Sequence, residues 1–143
     1  MIEIRRSAIV AYSAQQMFDL VNDVEAYPRR FSWCTGAQLI GRQDDTLTAR
    51  LELRIAGMNQ SFTTRNTLNS PGRIELQLVD GPFRQLSGTW HFLALGERGC
   101  KIALELDFEY SGKLVAPLMR SGFQKLADRM VDEFCAEAAR IYA

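Results

Sequence analysis

"RIELQLVDGPFRQLSGTWHFLALGERGCKIALELDFEY", residues 73–110, decides the fold. Apolar residues take every second position in three runs, parted by Asp80-Gly81-Pro82 and by the turn from Gly96 to Gly99. Successive side chains of a strand point to opposite faces, so a period of two predicts half-buried strands. Breaks of glycine, proline and aspartate between them predict antiparallel hairpins. The inward faces carry Ile74, Leu76 and Leu78, then Leu86, Gly88, Trp90 and Phe92, then Ile102, Leu104, Leu106, Phe108 and Tyr110.

The same pattern extends upstream. "TLTARLELRI" places Leu47, Ala49, Leu51, Leu53 and Ile55 on one face, and "MNQSFTTRNTL" places Phe62, Thr64, Asn66 and Leu68 on one face. Residues 69–72, Asn-Ser-Pro-Gly, predict a turn. Near the N-terminus, "IEIRRSAIV" reads as a first strand. "SAQQMFDLVNDV" then changes period: Met17, Phe18, Leu20, Val21 and Val24 recur at helical spacing, with Ser13 and Gln16 forming a capping-box pattern. "EAYPRRFSWCTG" reads as a short helical turn and an aromatic-rich loop.

Downstream the chain turns helical. Pro117 stands near the start, where a missing N–H costs little. Leu118, Met119, Gly122, Phe123, Leu126, Met130, Phe134, Ala138 and Ile141 form one apolar stripe. About 26 residues at roughly 1.5 Å each predict a rod of ~39 Å. Hairpin-connected strands followed by one amphipathic helix point to an α+β fold with an antiparallel sheet. No linker or repeat divides residues 1–143, so a single domain is expected. A curved sheet wrapped round such a helix tends to leave a cavity between them.

Composition narrows the function classes. Seventeen basic residues balance seventeen acidic ones, so no global field draws the chain to DNA or to an anionic membrane. No apolar run approaches the roughly 18 residues of a spanning helix, and a cytoplasmic location is expected. Cys34, Cys100 and Cys135 are odd in number and far apart, which argues against a disulfide framework and against a Cys-x-x-Cys site. No zinc-ligand spacing, phosphate loop or nucleophile elbow is present. No catalytic residue, metal ligand or catalytic cofactor is therefore expected. The single histidine, His91, sits between two inward residues and should face outward, and Asp80 reads as a turn residue rather than a base.

The large apolar residues allow two readings. Singly, each is core. Together, Phe62, Trp90, Phe92, Phe108, Tyr110, Met119, Phe123, Leu126, Met130 and Phe134 supply the lining of an apolar ligand pocket.

"YSAQQMFDLVNDVEAYPRRFSWCTGA", "FTTRN", "LVDGPFRQLSGTWHF", "LELDFEYSGKL" and "FQKLADRMVDEFCAEAARIY" resemble, in this order, the RatA-type proteins. These are bacterial relatives of the mitochondrial coenzyme Q-binding proteins, in the START-like, helix-grip superfamily that also holds polyketide cyclases. The resemblance spans nearly the whole chain. It implies a seven-stranded antiparallel sheet bent round a long C-terminal helix, with two short helices after the first strand. One branch of the family holds a quinone with an isoprenoid tail, ubiquinone, as a bound ligand and supports respiration. The other is named for toxins that bind the large ribosomal subunit and block subunit joining. A small ubiquitin-like antitoxin partner and transient peripheral contact with the inner membrane belong to what the resemblance implies. A cyclase-like enzyme is a third class, and would need an inward polar group such as Thr64, Asn66 or Tyr110. Ribosomal RNA would need clustered cations. Arg5 with Arg6, Arg29 with Arg30, and Arg50, Arg54 and Arg65 are the candidates, although strand arginines also serve as a solvated face.

Overall fold

The computed structural model describes residues 1–112 and 116–142. Strand β1 (Ile2–Val10) leads into helix α1 (Ala14–Asn22), a 3-10 turn (Val24–Ala26) and the short helix α2 (Tyr27–Arg30). Six strands follow: β2 (Cys34–Gln43), β3 (Thr46–Ile55), β4 (Met58–Asn69), β5 (Arg73–Asp80), β6 (Phe83–Leu95) and β7 (Gly99–Tyr110). The chain ends in α3 (Pro117–Asp128) and α4 (Met130–Tyr142). The seven strands form one antiparallel sheet in the order β1-β7-β6-β5-β4-β3-β2. This is the helix-grip arrangement.

The inward faces fall where the alternation puts them. Leu47, Ala49, Leu53 and Ile55 of β3, Ile74 of β5, Leu86, Trp90 and Phe92 of β6 and Ile102, Leu104, Leu106 and Phe108 of β7 are all buried. Register lines them up in rows across the sheet, such as Ile74, Trp90 and Leu104. Ser13 caps α1 as a full capping box: its Oγ accepts from the Gln16 N–H at 3.1 Å, and Gln16 Oε1 accepts from the Ser13 N–H at 2.8 Å. That reciprocal pair fixes where α1 begins and so where its buried face, Met17, Phe18, Leu20 and Val21, meets the sheet. His91 lies outward and half-exposed, 3.6 Å from Glu105. Asp80 is the exposed last residue of β5.

Three features depart from the residue-by-residue reading. Strand β2 carries no alternation to find: it is mostly exposed, holds Gly36 and Gly41, and shifts register between Cys34 and Gly36 and between Leu39 and Gly41. The C-terminal helix is not one rod. It breaks at Arg129, whose φ of −106° and ψ of 10° leave the helical region and whose N–H turns back to the Leu126 carbonyl at 3.2 Å. Leu118 is off the apolar stripe: it stands in the first turn of α3, 63% exposed.

Candidate ligand cavity

Two solid aromatic clusters occupy the concave side. At one end, Phe31 stacks on Trp33 at 4.8 Å, Tyr27 closes on both, Phe134 closes on Phe31 and Tyr27, and Trp90 meets Phe134 at 5.3 Å. At the other end, Phe123 of α3 meets Phe83 at 4.9 Å and Phe108 at 5.0 Å, with Tyr110 stacked on Phe83. These centroid distances are those of favourable edge-to-face and offset pairs.

Between the clusters the interior is hollow. A cavity of about 110 Å³ lies between the sheet, the α1–α2 segment and the hinge of the C-terminal helix. Its sheet wall includes Ala49, Leu51 and Leu53 of β3, Phe62, Thr64 and Asn66 of β4, and Ile74, Leu76, Leu86, Trp90, Leu104 and Leu106 of β5 to β7. Val21, Asn22, Val24, Tyr27 and Trp33 close one side. Phe123, Leu126, Ala127 and Met130 close the other, so the helix break at Arg129 sits directly at the cavity. No lining residue carries a charge.

The expected ligand residues divide into three groups. Phe62, Trp90, Phe123, Leu126 and Met130 line the cavity. Tyr110 and Met119 line a much smaller void of about 10 Å³ that shares Leu53, Phe62 and Phe123 with it. Phe62 and Phe123, 6.5 Å apart edge to face, form the partition. Phe92, Phe108 and Phe134 are fully buried behind these walls: Phe92 packs on Phe18, Phe108 on Phe83 and Phe123, and Phe134 on Tyr27, Phe31 and Trp90.

The residue-level reading had not singled out the wall from α1 to Trp33. Its signal is the aromatic density of "EAYPRRFSWCTG", whose expected short helical turn is the 3-10 turn and α2. A polar frame holds this wall. Arg30 reaches Glu137 of α4 at 3.2 Å, Arg140 grips the same carboxylate, and the Trp33 indole N–H donates to Glu133 at 2.8 Å. Glu137 is buried, and the Arg140 and Arg30 guanidinium groups nonetheless hold its carboxyl below the usual glutamate range. The Tyr27 hydroxyl donates to the Val21 carbonyl, and burial pushes its pKa up.

The cavity's chemistry is sparse. Thr64 Oγ1 donates to Asn66 Oδ1 at 2.8 Å. Asn22 Oδ1 is buried without a partner among the described residues. The Tyr110 hydroxyl donates to the Arg120 carbonyl at 2.7 Å, and burial raises its pKa to about 12. Burial also raises the thiols of Cys34, Cys100 and Cys135, which keeps them protonated and unreactive. Among the described residues, no three His, Cys, Asp or Glu side chains stand close enough to hold a metal ion, and no helix is long and apolar enough to cross a membrane.

A lined hollow in a helix-grip sheet has relatives. Residues 10–135 match the family described as polyketide cyclase/dehydrase and lipid transport. The chain belongs to this family. Within it, the chain stands with the RatA-type proteins. It is 43% identical over 139 residues to the ribosome association toxin RatA of Pseudomonas aeruginosa, covering 97% of this chain and 96% of that protein. It is 25% identical over 145 residues to the mitochondrial coenzyme Q-binding protein COQ10 homolog B of Xenopus laevis, covering 99% of this chain and 59% of that protein. The Zhui aromatase/cyclase of a Streptomyces species has the same fold, with a TM-score of 0.87 at 18% identity, covering 99% of this chain and 96% of that one. The lipid-transport family and the coenzyme Q-binding relative speak in general terms for a hydrophobic ligand.

Proposed function

We propose that the protein binds a hydrophobic isoprenoid ligand, a quinone of the ubiquinone type, in the cavity between sheet and C-terminal helix. It holds this ligand without transforming it, in support of respiration or of ubiquinone biosynthesis. One observation carries the reading: the space is unfilled, and its walls are apolar and aromatic with no charged group. Burying apolar surface is worth roughly 25 cal/mol per Å², so such walls reward a greasy guest. The likeness to a coenzyme Q-binding protein supports the same class of ligand. The polar groups at hand are poor acids and bases. Thr64 and Asn66 do not titrate, and Tyr110 keeps its proton near neutral pH.

Both tryptophans of the chain, Trp33 and Trp90, line the cavity. A short-tailed ubiquinone is therefore expected to quench intrinsic fluorescence saturably, at one quinone per protein. Quenching that never saturates contradicts the proposal.

A second reading is association with the ribosome, as in the relative named RatA. The guanidinium groups of Arg54 and Arg65 have no partner among the described residues, and both are exposed on strands β3 and β4. Arg5 and Arg6 instead pair with Asp107 and Asp128 at 2.8 and 3.0 Å, and Arg30 is committed to Glu137. Arg54 and Arg65, with the equally exposed Arg29, are thus better placed to meet phosphate than Arg5, Arg6 and Arg30, and Arg50 is bonded to Ser61 at 3.1 Å. Sucrose gradients after overexpression test this reading. Loss of joined ribosomes that is reversed by Arg54→Glu with Arg65→Glu supports it, and unchanged profiles for the parent protein refute it.

A further inference from the structure

Besides Asn22, whose Oδ1 can only accept, the walls of the cavity carry one polar spot, on β4. Thr64 and Asn66 are both inward and more than nine-tenths buried, on adjacent same-face positions of the strand. Thr64 donates its hydroxyl proton to Asn66 Oδ1. That bond turns the amide so that its nitrogen is the open end. A primary amide nitrogen carries two N–H donors. Neither has an acceptor among the described residues, and Asn66 lines the cavity. These N–H groups open onto the cavity, where an incoming acceptor would answer them.

We infer that Asn66, oriented by Thr64, is a carbonyl-reading subsite that makes the cavity selective for lipids with a neutral, acceptor-bearing head. This inference rests on the ligand-binding reading above and names the chemistry of its head group. A quinone suits the site: it is uncharged, and its ring oxygens only accept. A fatty-acid carboxylate or a phospholipid phosphate does not, because no cation lines the cavity and a charge taken from water without a partner is strongly disfavoured. A plain isoprenoid hydrocarbon would fill the walls yet leave the amide unanswered. Asn66 is then a specificity residue and Thr64 a positioning residue.

The test uses three probes of matched tail length on the full chain: a geranyl-tailed dimethoxybenzoquinone, an isoprenoid hydrocarbon and a saturated fatty acid. Direct quenching reads the quinone, and displacement of a bound fluorescent lipid reads the other two. Asn66→Leu, which keeps the branching at Cγ and removes both N–H donors, is expected to weaken the quinone at least tenfold and to leave the hydrocarbon within about twofold. Thr64→Val, which leaves Asn66 in place, is expected to weaken the quinone a few-fold, and it serves if the leucine variant does not fold. Equal quinone affinity in parent and both variants overturns the subsite while leaving quinone binding intact. A fatty acid that binds the parent as tightly as the quinone overturns the selectivity. A parent protein that takes up none of the three overturns ligand binding itself, and the subsite with it.

Discussion

The aromatic ends of the concave face and the hollow between them are built from the same strands, yet one is solid and the other empty. Side-chain size along the rows explains the difference. At the ends, strands β6 and β7 and the helices present Phe83, Phe108, Trp90 and Phe134, and rings meet at about 5–6 Å. In the middle, register sets Ala49 against Thr64, Asn66 against Leu76, and Leu76 against Gly88. Gly88 has no room for a larger residue, since a Cβ there would lie 2.7 Å from the Glu105 carbonyl oxygen and 2.8 Å from a Leu106 methyl. Short side chains facing a helix that breaks at Arg129 leave a gap that neither wall fills. The rigid ends hold the sheet and helix apart, and the hollow is what they hold open.

The sharpest way to break this contrast is to remove a ring from a solid end. Phe134 is essentially inaccessible and contacts Tyr27, Phe31 and Trp90. Phe134→Ala should cost about 3–5 kcal/mol in urea denaturation. Next comes the polar frame. Glu137→Gln should cost about 2–3 kcal/mol at pH 7, the value of charged hydrogen bonds to a buried partner. The Glu137 carboxyl is held below its ordinary value of 4.5, so its contribution is present above that pH and is lost as pH falls through the lower folded value. Denaturation curves of parent and variant should therefore converge in acid, and a gap that stays constant down to pH 3 would contradict the frame.

Filling the hollow should behave in the opposite way. Ala49 is buried at the cavity wall, and Ala49→Leu places its new atoms in empty space. Stability should change by less than about 1 kcal/mol, or rise, while quinone uptake falls at least tenfold. A loss of several kcal/mol would mean that the space is not available to atoms. The smallest effect belongs to the outer face: Arg54→Glu should leave the stability in urea denaturation within about 0.5 kcal/mol of the parent and leave quinone uptake unchanged.

Alternation made the packed ends legible in the sequence, because Trp90, Phe92, Phe108 and Phe134 sit at positions that only one face of a strand or helix can take. The sheet's seventh strand was not legible residue by residue, because β2 is exposed along most of its length and interrupted by two register shifts. The resemblance of long strings to a family supplied it. Half of the expected ligand residues line the cavity, and the remainder lie in the smaller void or in solid core. Periodicity says which face a side chain takes and says nothing of whether its neighbours reach across to fill the space. Trp33 and Tyr27 were invisible as cavity walls for a related reason. The Trp33 indole is held by Glu133 and the Tyr27 ring packs on Phe134, each about a hundred residues away in the chain, and no local pattern encodes those contacts.

A hollow that holds an isoprenoid quinone should yield it on extraction. Protein purified from its native host, extracted with organic solvent and analysed by mass spectrometry, tests it most directly. An isoprenoid quinone is expected at close to one molecule per chain, and much less from the Ala49→Leu variant purified alongside. Parent protein that carries no quinone, and takes none up when offered it, would contradict quinone binding in the hollow.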